Sequence, residues 1–301
     1  MRSMIGFLKL VRLPNAFTAI ADIIAAYVIM RGVSTSADVW NLLQLALASA
    51  ALYLSGMAFN DIADREEDAR VRPDRPIPSG QVSVGDATVC AIGLMAGGIA
   101  LAAIQGESFG FAVLLALSIL AYDFGSKGIT VLGPITLGFC RFFNVMMGAA
   151  VGLGVLSKFT LAASTHEPLA MALSIGIYAA GLTAFSAQEE TGKQIRSIVI
   201  GWTFCGAALL LAGLSGRSNA GWIVLGPLTA LLMYRTYELA KNGTPLAARN
   251  LVRTGVMGVC AVDAGLLLSF RGFDWWPAAV FCLALLGPTI LIANWLAQKE
   301  A

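Results

Sequence analysis

The feature that most constrains this chain is a recurring block of about twenty apolar residues, the length a helix needs to cross the hydrocarbon core of a bilayer. Ten such segments can be marked, at 14–31, 40–60, 86–105, 108–124, 133–156, 168–187, 195–214, 220–237, 252–270 and 276–297. The fourth is the shortest. Period-two alternation is absent, so these segments are read as helices and not as strands of a barrel. Composition agrees. The chain is 57% hydrophobic and only 13% charged, against roughly 45–50% apolar and about 25% charged in an ordinary globular chain. Too few charges are present to cover that much apolar surface in water. The expectation is an all-α polytopic transmembrane bundle of nine to ten spans, with residues 1–301 as a single domain. A soluble enzyme, a disordered chain, a collagen-like chain and a disulfide scaffold are excluded.

Lysine and arginine give the orientation. With ten spans, one side carries both termini and the connections after spans 2, 4, 6 and 8. Fifteen of the twenty Lys and Arg residues fall on that side. Four lie opposite (Arg31, Lys158, Arg217 and Arg271), and Arg141 lies inside the fifth segment. The positive-inside rule places the fifteen in the cytoplasm, as expected for an inner-membrane protein. The first apolar segment carries Pro14 and Asp22 and lacks a clear small-residue cleavage site, so it is read as a retained span. The net charge of +2 gives no reason to expect a nucleic-acid partner. The five cysteines all lie in apolar stretches without CxxC spacing and are read as small buried hydrophobes.

Polar chemistry is concentrated where the second segment ends, in Asn60-Asp61-Ile62-Ala63-Asp64-Arg65-Glu66-Glu67-Asp68. These residues continue the apolar run without a break, so the helix is expected to extend into the cytoplasmic mouth. On a helix Asp61, Asp64 and Asp68 share one face. Carboxylates gathered there repel one another unless a divalent cation or basic side chains neutralise them. Mg²⁺ suits a few carboxylates together with phosphate oxygens. The alternative is a solvated loop whose acids are balanced by Arg65, Arg70, Arg72 and Arg75.

The run Asn60-Asp61-x-x-Asp64-x-x-x-Asp68, followed by Arg72-Pro73-Asp74-Arg75-Pro76-Ile77-Pro78-Ser79-Gly80, resembles the first aspartate-rich motif of the UbiA superfamily of intramembrane prenyltransferases. The resemblance extends from Arg12-Leu13-Pro14-Asn15 to about the ninth span. It implies that Asn60, Asp61, Asp64 and Asp68 hold Mg²⁺, and that the metal binds the diphosphate of an isoprenyl donor. It also implies Arg72 and Arg75 as diphosphate ligands. Family members usually have nine spans, so the tenth here is an addition.

Tyr122-Asp123-Phe124-Gly125-Ser126-Lys127, after the fourth span, resembles the family loop whose basic residue contacts the diphosphate. Asp64, Lys127 and Tyr122 are therefore the candidate catalytic residues. Arg141 and Asn144 lie about one turn apart on the fifth span. A charge inside a span is costly and is a functional hypothesis by default. Arg141 either binds diphosphate or acceptor near the pocket mouth, or pairs with Asp22 or Asp263; both readings stay open. Asn15 and Asp22 are candidates for the acceptor side.

The family's second motif, two aspartates one turn apart after span 6, is not reproduced. The chain has Gln188-Glu189-Glu190-Thr191-Gly192-Lys193 instead. Adjacent glutamates project about 100° apart on a helix. Glu189 and Glu190 are expected to form an altered second metal site. This variant, with the sequence of the first motif, resembles the EboC branch of the superfamily. The functional expectation is Mg²⁺-dependent transfer of an isoprenyl group from its diphosphate to an unidentified small acceptor within the membrane lipid. Two other readings stand beside it. One is a transporter or lipid-binding protein of the same fold without transferase activity. The other is an enzyme whose donor cation is quenched internally or by water.

Overall fold

The computed structural model describes residues 2–152, 166–186 and 194–298. All regular structure among them is helical: α1 Arg2–Leu10, α2 Ala16–Met30, α3 Ser36–Ala63, α4 Arg65–Val71, α5 Val84–Ala103, α6 Phe109–Ala121, α7 Leu132–Ala149, α8 His166–Ser186, α9 Ile195–Leu214, α10 Trp222–Asn242, α11 Pro245–Arg271, α12 Trp276–Ala284 and α13 Leu286–Gln298. Helix starts carry their own caps. The Thr35 hydroxyl accepts from the Asp38 N–H while the Asp38 carboxylate accepts from the Thr35 N–H, a reciprocal capping box. Ser83 and Thr244 cap α5 and α11 in the same sense.

Nine stretches among the described residues are long and apolar enough to cross a membrane, and the chain is an integral multi-pass membrane protein. The eighth segment of the sequence, now α10, is not one of the nine. Its first half is apolar, but Tyr234-Arg235-Thr236-Tyr237-Glu238 makes the second half polar. It nevertheless runs the depth of the bundle. Gly213 and Trp222 meet at one end of the α9–α10 pair, and Trp202 Nε1 donates to Thr236 Oγ1 at the other. It packs on α9 and α11, while Tyr234 and Tyr237 stay exposed. The last segment also differs from one straight span, since it is interrupted at Leu285 between α12 and α13.

Two apolar clusters form the interior. One gathers α8–α11 and the other α3, α5 and α6, and α2 and α7 contribute to both. α2 is accordingly buried nearly all round, as expected of a central helix. The outer helices α5 and α6 present Val89, Ile92, Leu114 and Leu117 outward, side chains suited to lipid tails. Between α7 and α8 the backbones nearly touch. A Cβ on Gly138 would stand 2.8 Å from the Gly176 carbonyl oxygen, and one on Gly176 2.9 Å from that of Gly138. Such glycine contacts replace the hydrophobic driving force that helices lack in lipid.

Candidate active site

The acidic cluster is built on a helix that does not stop where α3 ends. Asp64 N–H donates to the Asn60 carbonyl at 3.0 Å, Asp68 N–H to Asp64 at 2.8 Å, and Arg72 N–H to Asp68 at 2.8 Å. The ladder thus passes through the α3–α4 junction. Asp61 and Asp68 are buried and Asp64 is half-buried on the inward face, while Glu66 and Glu67 point outward. The expected i, i+3, i+7 face is the one presented to the bundle.

Basic groups from three parts of the chain meet these acids. Arg12 Nη2 lies 3.0 Å from Asp61 Oδ1 and 3.3 Å from Asn60 Oδ1. Arg12 is the only non-glycine residue with positive φ among the described residues, at 48°. That costly left-handed conformation turns the chain between α1 and Leu13–Asn15 and aims the guanidinium at the cluster. Burial lowers the Arg12 pKa, but the charge and hydrogen bond of Asp61, with Tyr53 and Asp64, together outweigh it and the net direction is upward. The 72–80 segment folds back as a compact turn closed by Ser79 N–H to the Arg75 carbonyl and by Gly80 at φ 72°. This brings Arg75 Nη1 to 2.8 Å from Asp61 Oδ1 and 3.6 Å from Asp68 Oδ2. Arg72 lies 3.8 Å from Asp68.

The fourth base comes from the turn after α6. Tyr122–Ser126 is wound wider than an α-helix, with Lys127 N–H donating to the Tyr122 carbonyl at 3.0 Å. Turns of this kind recur at functional sites. Here the winding delivers the Lys127 ammonium to the Asp64 carboxylate. It also buries Asp123, whose carboxylate accepts from Asn60 Nδ2 at 3.2 Å. Four carboxylates (Asp61, Asp64, Asp68, Asp123) therefore face four bases (Arg12, Arg72, Arg75, Lys127). Among the described residues no three acidic, histidine or cysteine side chains stand ready as a metal cage, because each aspartate on the ladder is turned to a base. The donor set still suits Mg²⁺, since it is all hard oxygen on one helix face. The buried Asp68 Oδ2 has no hydrogen-bond partner.

Beneath the cluster lies a mainly apolar cavity bordered by Tyr53, Met57, Leu115, Ile119, Tyr122 and Leu137. Tyr122 and Asp123 mark its outer end, and Arg141, Asn144 and Ser49 also border it. Arg141 is engaged by α2: Nη1 donates to Asp22 at 3.0 Å and Nη2 to Thr18 Oγ1 at 2.7 Å. Of the two readings left open by the sequence, the pairing with Asp22 is the one observed, and the guanidinium borders the cavity as well. Asn15 borders a second, wetter pocket together with Lys9, Arg12, Asp61 and Arg75, closed on one side by Ala293 and Leu296 of α13.

Asn60, Asp61, Asp64, Asp68, Arg72, Arg75 and Lys127 are thus gathered in one place, with Tyr122 directly below. Arg141 and Asn144 belong with Asp22, not with the cluster. Glu189 and Glu190 lie outside the described residues. Two cluster members were not singled out from sequence. Arg12 had only its position beside Leu13-Pro14-Asn15, and Asp123 only its place next to Tyr122.

Residues 23–251 match the UbiA prenyltransferase family. A digeranylgeranylglyceryl phosphate synthase of Methanoculleus marisnigri is 31% identical over 166 residues, 54% of this chain and 58% of that protein. The chain spans about half the length of the curated relatives it matches. A solved UbiA homologue from Aeropyrum pernix superposes with a TM-score of 0.64 at 19% identity, covering 86% of this chain and 97% of that one. A UbiA homologue from Archaeoglobus fulgidus, solved bound to GPP and Mg²⁺, superposes with a TM-score of 0.59 at 16% identity, covering 87% and 99%.

Proposed function

The chain belongs to the UbiA prenyltransferase family, and from that premise we propose that it transfers an isoprenyl group from a prenyl diphosphate to a small acceptor inside the membrane. The observation that carries this reading is the four-acid, four-base cluster sitting directly over an apolar cavity. Charged and greasy ends of one substrate have adjoining places.

In this reading Asp61, Asp64 and Asp68, with Asn60, hold Mg²⁺, which acts as a Lewis acid toward the leaving diphosphate. The rest is done by the chain. With the carboxylates engaged elsewhere, Arg12, Arg72, Arg75 and Lys127 turn their N–H groups to diphosphate oxygens. Charge-assisted bonds of this kind are stronger than neutral ones. The cluster is internally balanced, so the metal and a diphosphate enter as a nearly neutral unit without leaving any base uncompensated. Asp123 holds the Asn60 amide so that its oxygen stays on the aspartate side. The apolar cavity takes the prenyl tail and keeps water from the carbon as the C–O bond breaks. Tyr122, at the junction of cluster and cavity, offers its ring to the positive charge developing there.

The cluster lies at the arginine-rich end of the bundle, which the positive-inside rule assigns to the cytoplasm. Glu189 and Glu190 are proposed as the ligands of an altered second site, and their departure from paired aspartates supports a likeness to the EboC branch. Residues 1–301 act as one unit. The test is to incubate the protein in nanodiscs with Mg²⁺, prenyl diphosphates of increasing length and a lipid extract, and to weigh the products. Prenylated products support transfer. Diphosphate release with only prenols or cyclised hydrocarbons would replace transfer by internal or water quenching. No release from any donor that binds would reject the enzyme.

A further inference from the structure

Deep in the bundle, apart from the cluster at the mouth, lies a second ionic group. Asp22 of α2 and Asp263 of α11 are both fully buried. Asp22 Oδ2 is well used, accepting from Arg141 Nη1 at 3.0 Å and from Asn144 Nδ2 at 2.9 Å. Its other oxygen, Oδ1, has no donor, and neither oxygen of Asp263 has one. α2 packs directly on α11, and both carboxyls are buried in the bundle with these oxygens unpaired. Two fully buried carboxyls on packed helices, three of their four oxygens without a donor, cannot both carry charge beside a single guanidinium. One proton between them satisfies both sides, because it turns an acceptor-only group into a donor. Arg141, Asp22 and a neutral Asp263 then balance without a buried net charge.

The cavity side of this group is equally defined. Asn144 is saturated within the protein: Nδ2 donates to Asp22 and to the Ala19 carbonyl, and Oδ1 accepts from Ser49. Arg141 commits two of its N–H groups, to Asp22 and Thr18, and a guanidinium has five. Its Cζ lies 5.6 Å from the centre of the Tyr53 ring. It borders the same cavity as Tyr122.

We propose that Asp22 and Asp263 form a carboxyl pair sharing one proton, and that this pair positions Arg141 to bind an oxygen of the acceptor, either anionic or carbonyl. Asp22 and Asp263 are positioning residues and do not touch substrate. The assignment rests on the prenyl-transfer reading for its acceptor half only; the protonated pair stands without it.

The test therefore has two arms. Infrared spectroscopy of the protein in nanodiscs at neutral pH is expected to show a protonated-carboxyl C=O band that disappears in Asp263→Asn. The same variant keeps its thermal midpoint, because an amide donates to Asp22 as the neutral acid does, whereas Asp263→Leu and Asp22→Asn lower it. In turnover with lipid extract, Asp22→Asn raises the KM for acceptor by about tenfold and leaves the KM for donor unchanged. Should Asp22→Asn fail to fold, the double variant Asp22→Asn with Arg141→Gln removes the unpaired charge. It recovers the thermal midpoint but not the acceptor KM. Absence of the band, or an Asp263→Asn variant as unstable as Asp22→Asn, overturns the shared proton. A rise in donor KM, or normal acceptor KM in the double variant, overturns the acceptor role. Binding of donor and Mg²⁺, followed separately by calorimetry, reports on the prenyl-transfer reading itself.

Discussion

Arg75 Nη1 sits 2.8 Å from Asp61 Oδ1, fourteen residues along the chain and within a proline-rich turn. Arg12 reaches the same oxygen from the N-terminal side. In the proposed reading, the aspartates that would hold a metal are thus paired with the groups that would hold its anion. Binding becomes an exchange of partners instead of the assembly of a site from repelling charges.

That exchange has a consequence for metal removal. Because Asp61, Asp64 and Asp68 are paired with Arg12, Arg72, Arg75 and Lys127, chelation is expected to leave the fold intact. Treatment with EDTA is expected to abolish donor binding while the thermal midpoint in detergent stays within a few degrees of its starting value, and added Mg²⁺ restores binding. Global unfolding on chelation would mean that the ion pairs do not substitute for the metal.

Position on the helix ladder separates two kinds of acid. Glu66 and Glu67 point outward, so replacing either by Ala leaves turnover within about twofold, since exposed ion pairs contribute little. Measuring both beside Asp61→Ala checks which face carries the chemistry. Equal losses at Glu66 and Asp61 would remove the distinction.

Arg12 combines a strained backbone with a charge paired to Asp61. Arg12→Gly relieves a left-handed conformation worth about 1 kcal/mol or more but deletes a ligand of Asp61. The expected outcome is a donor KM raised by about tenfold with little or no loss of thermal stability. A fall in stability with unchanged donor KM would make Arg12 structural.

The glycine crossing of α7 and α8 predicts a purely structural effect. Gly138→Val forces the backbones apart, for about 2 kcal/mol by the usual range for overpacking, and lowers the thermal midpoint. Gly93→Val, where an added Cβ meets nothing, serves as the control and leaves it unchanged.

Much of this was legible in the sequence, for reasons that can be named. Spans announce themselves by length and hydropathy, and the face shared by Asp61, Asp64 and Asp68 follows from helical spacing alone. α10 shows the limit: it packs on α9 and α11 like a span, yet Tyr234-Arg235-Thr236-Tyr237-Glu238 keeps its hydropathy below that of the nine spans. Arg12 and Asp123 escaped notice because their meaning is tertiary. A backbone reversal at one and a widened turn at the other bring them to Asn60 and Asp61 from 48 and 63 residues away. The partner of Arg141 was likewise undecidable between Asp22 and Asp263 until α2, α7 and α11 were seen packed together.

The central claim is that Asp64, held by Lys127, belongs to a metal-assisted diphosphate site. The most direct measurement is the rate of diphosphate release from a bound prenyl diphosphate, with and without Mg²⁺, in the parent and in Asp64→Ala. The account predicts Mg²⁺-dependent release in the parent and a loss of at least about a hundredfold in Asp64→Ala, with a thermal midpoint close to the parent's. Release that persists in the variant, or that ignores Mg²⁺ in both, would contradict it.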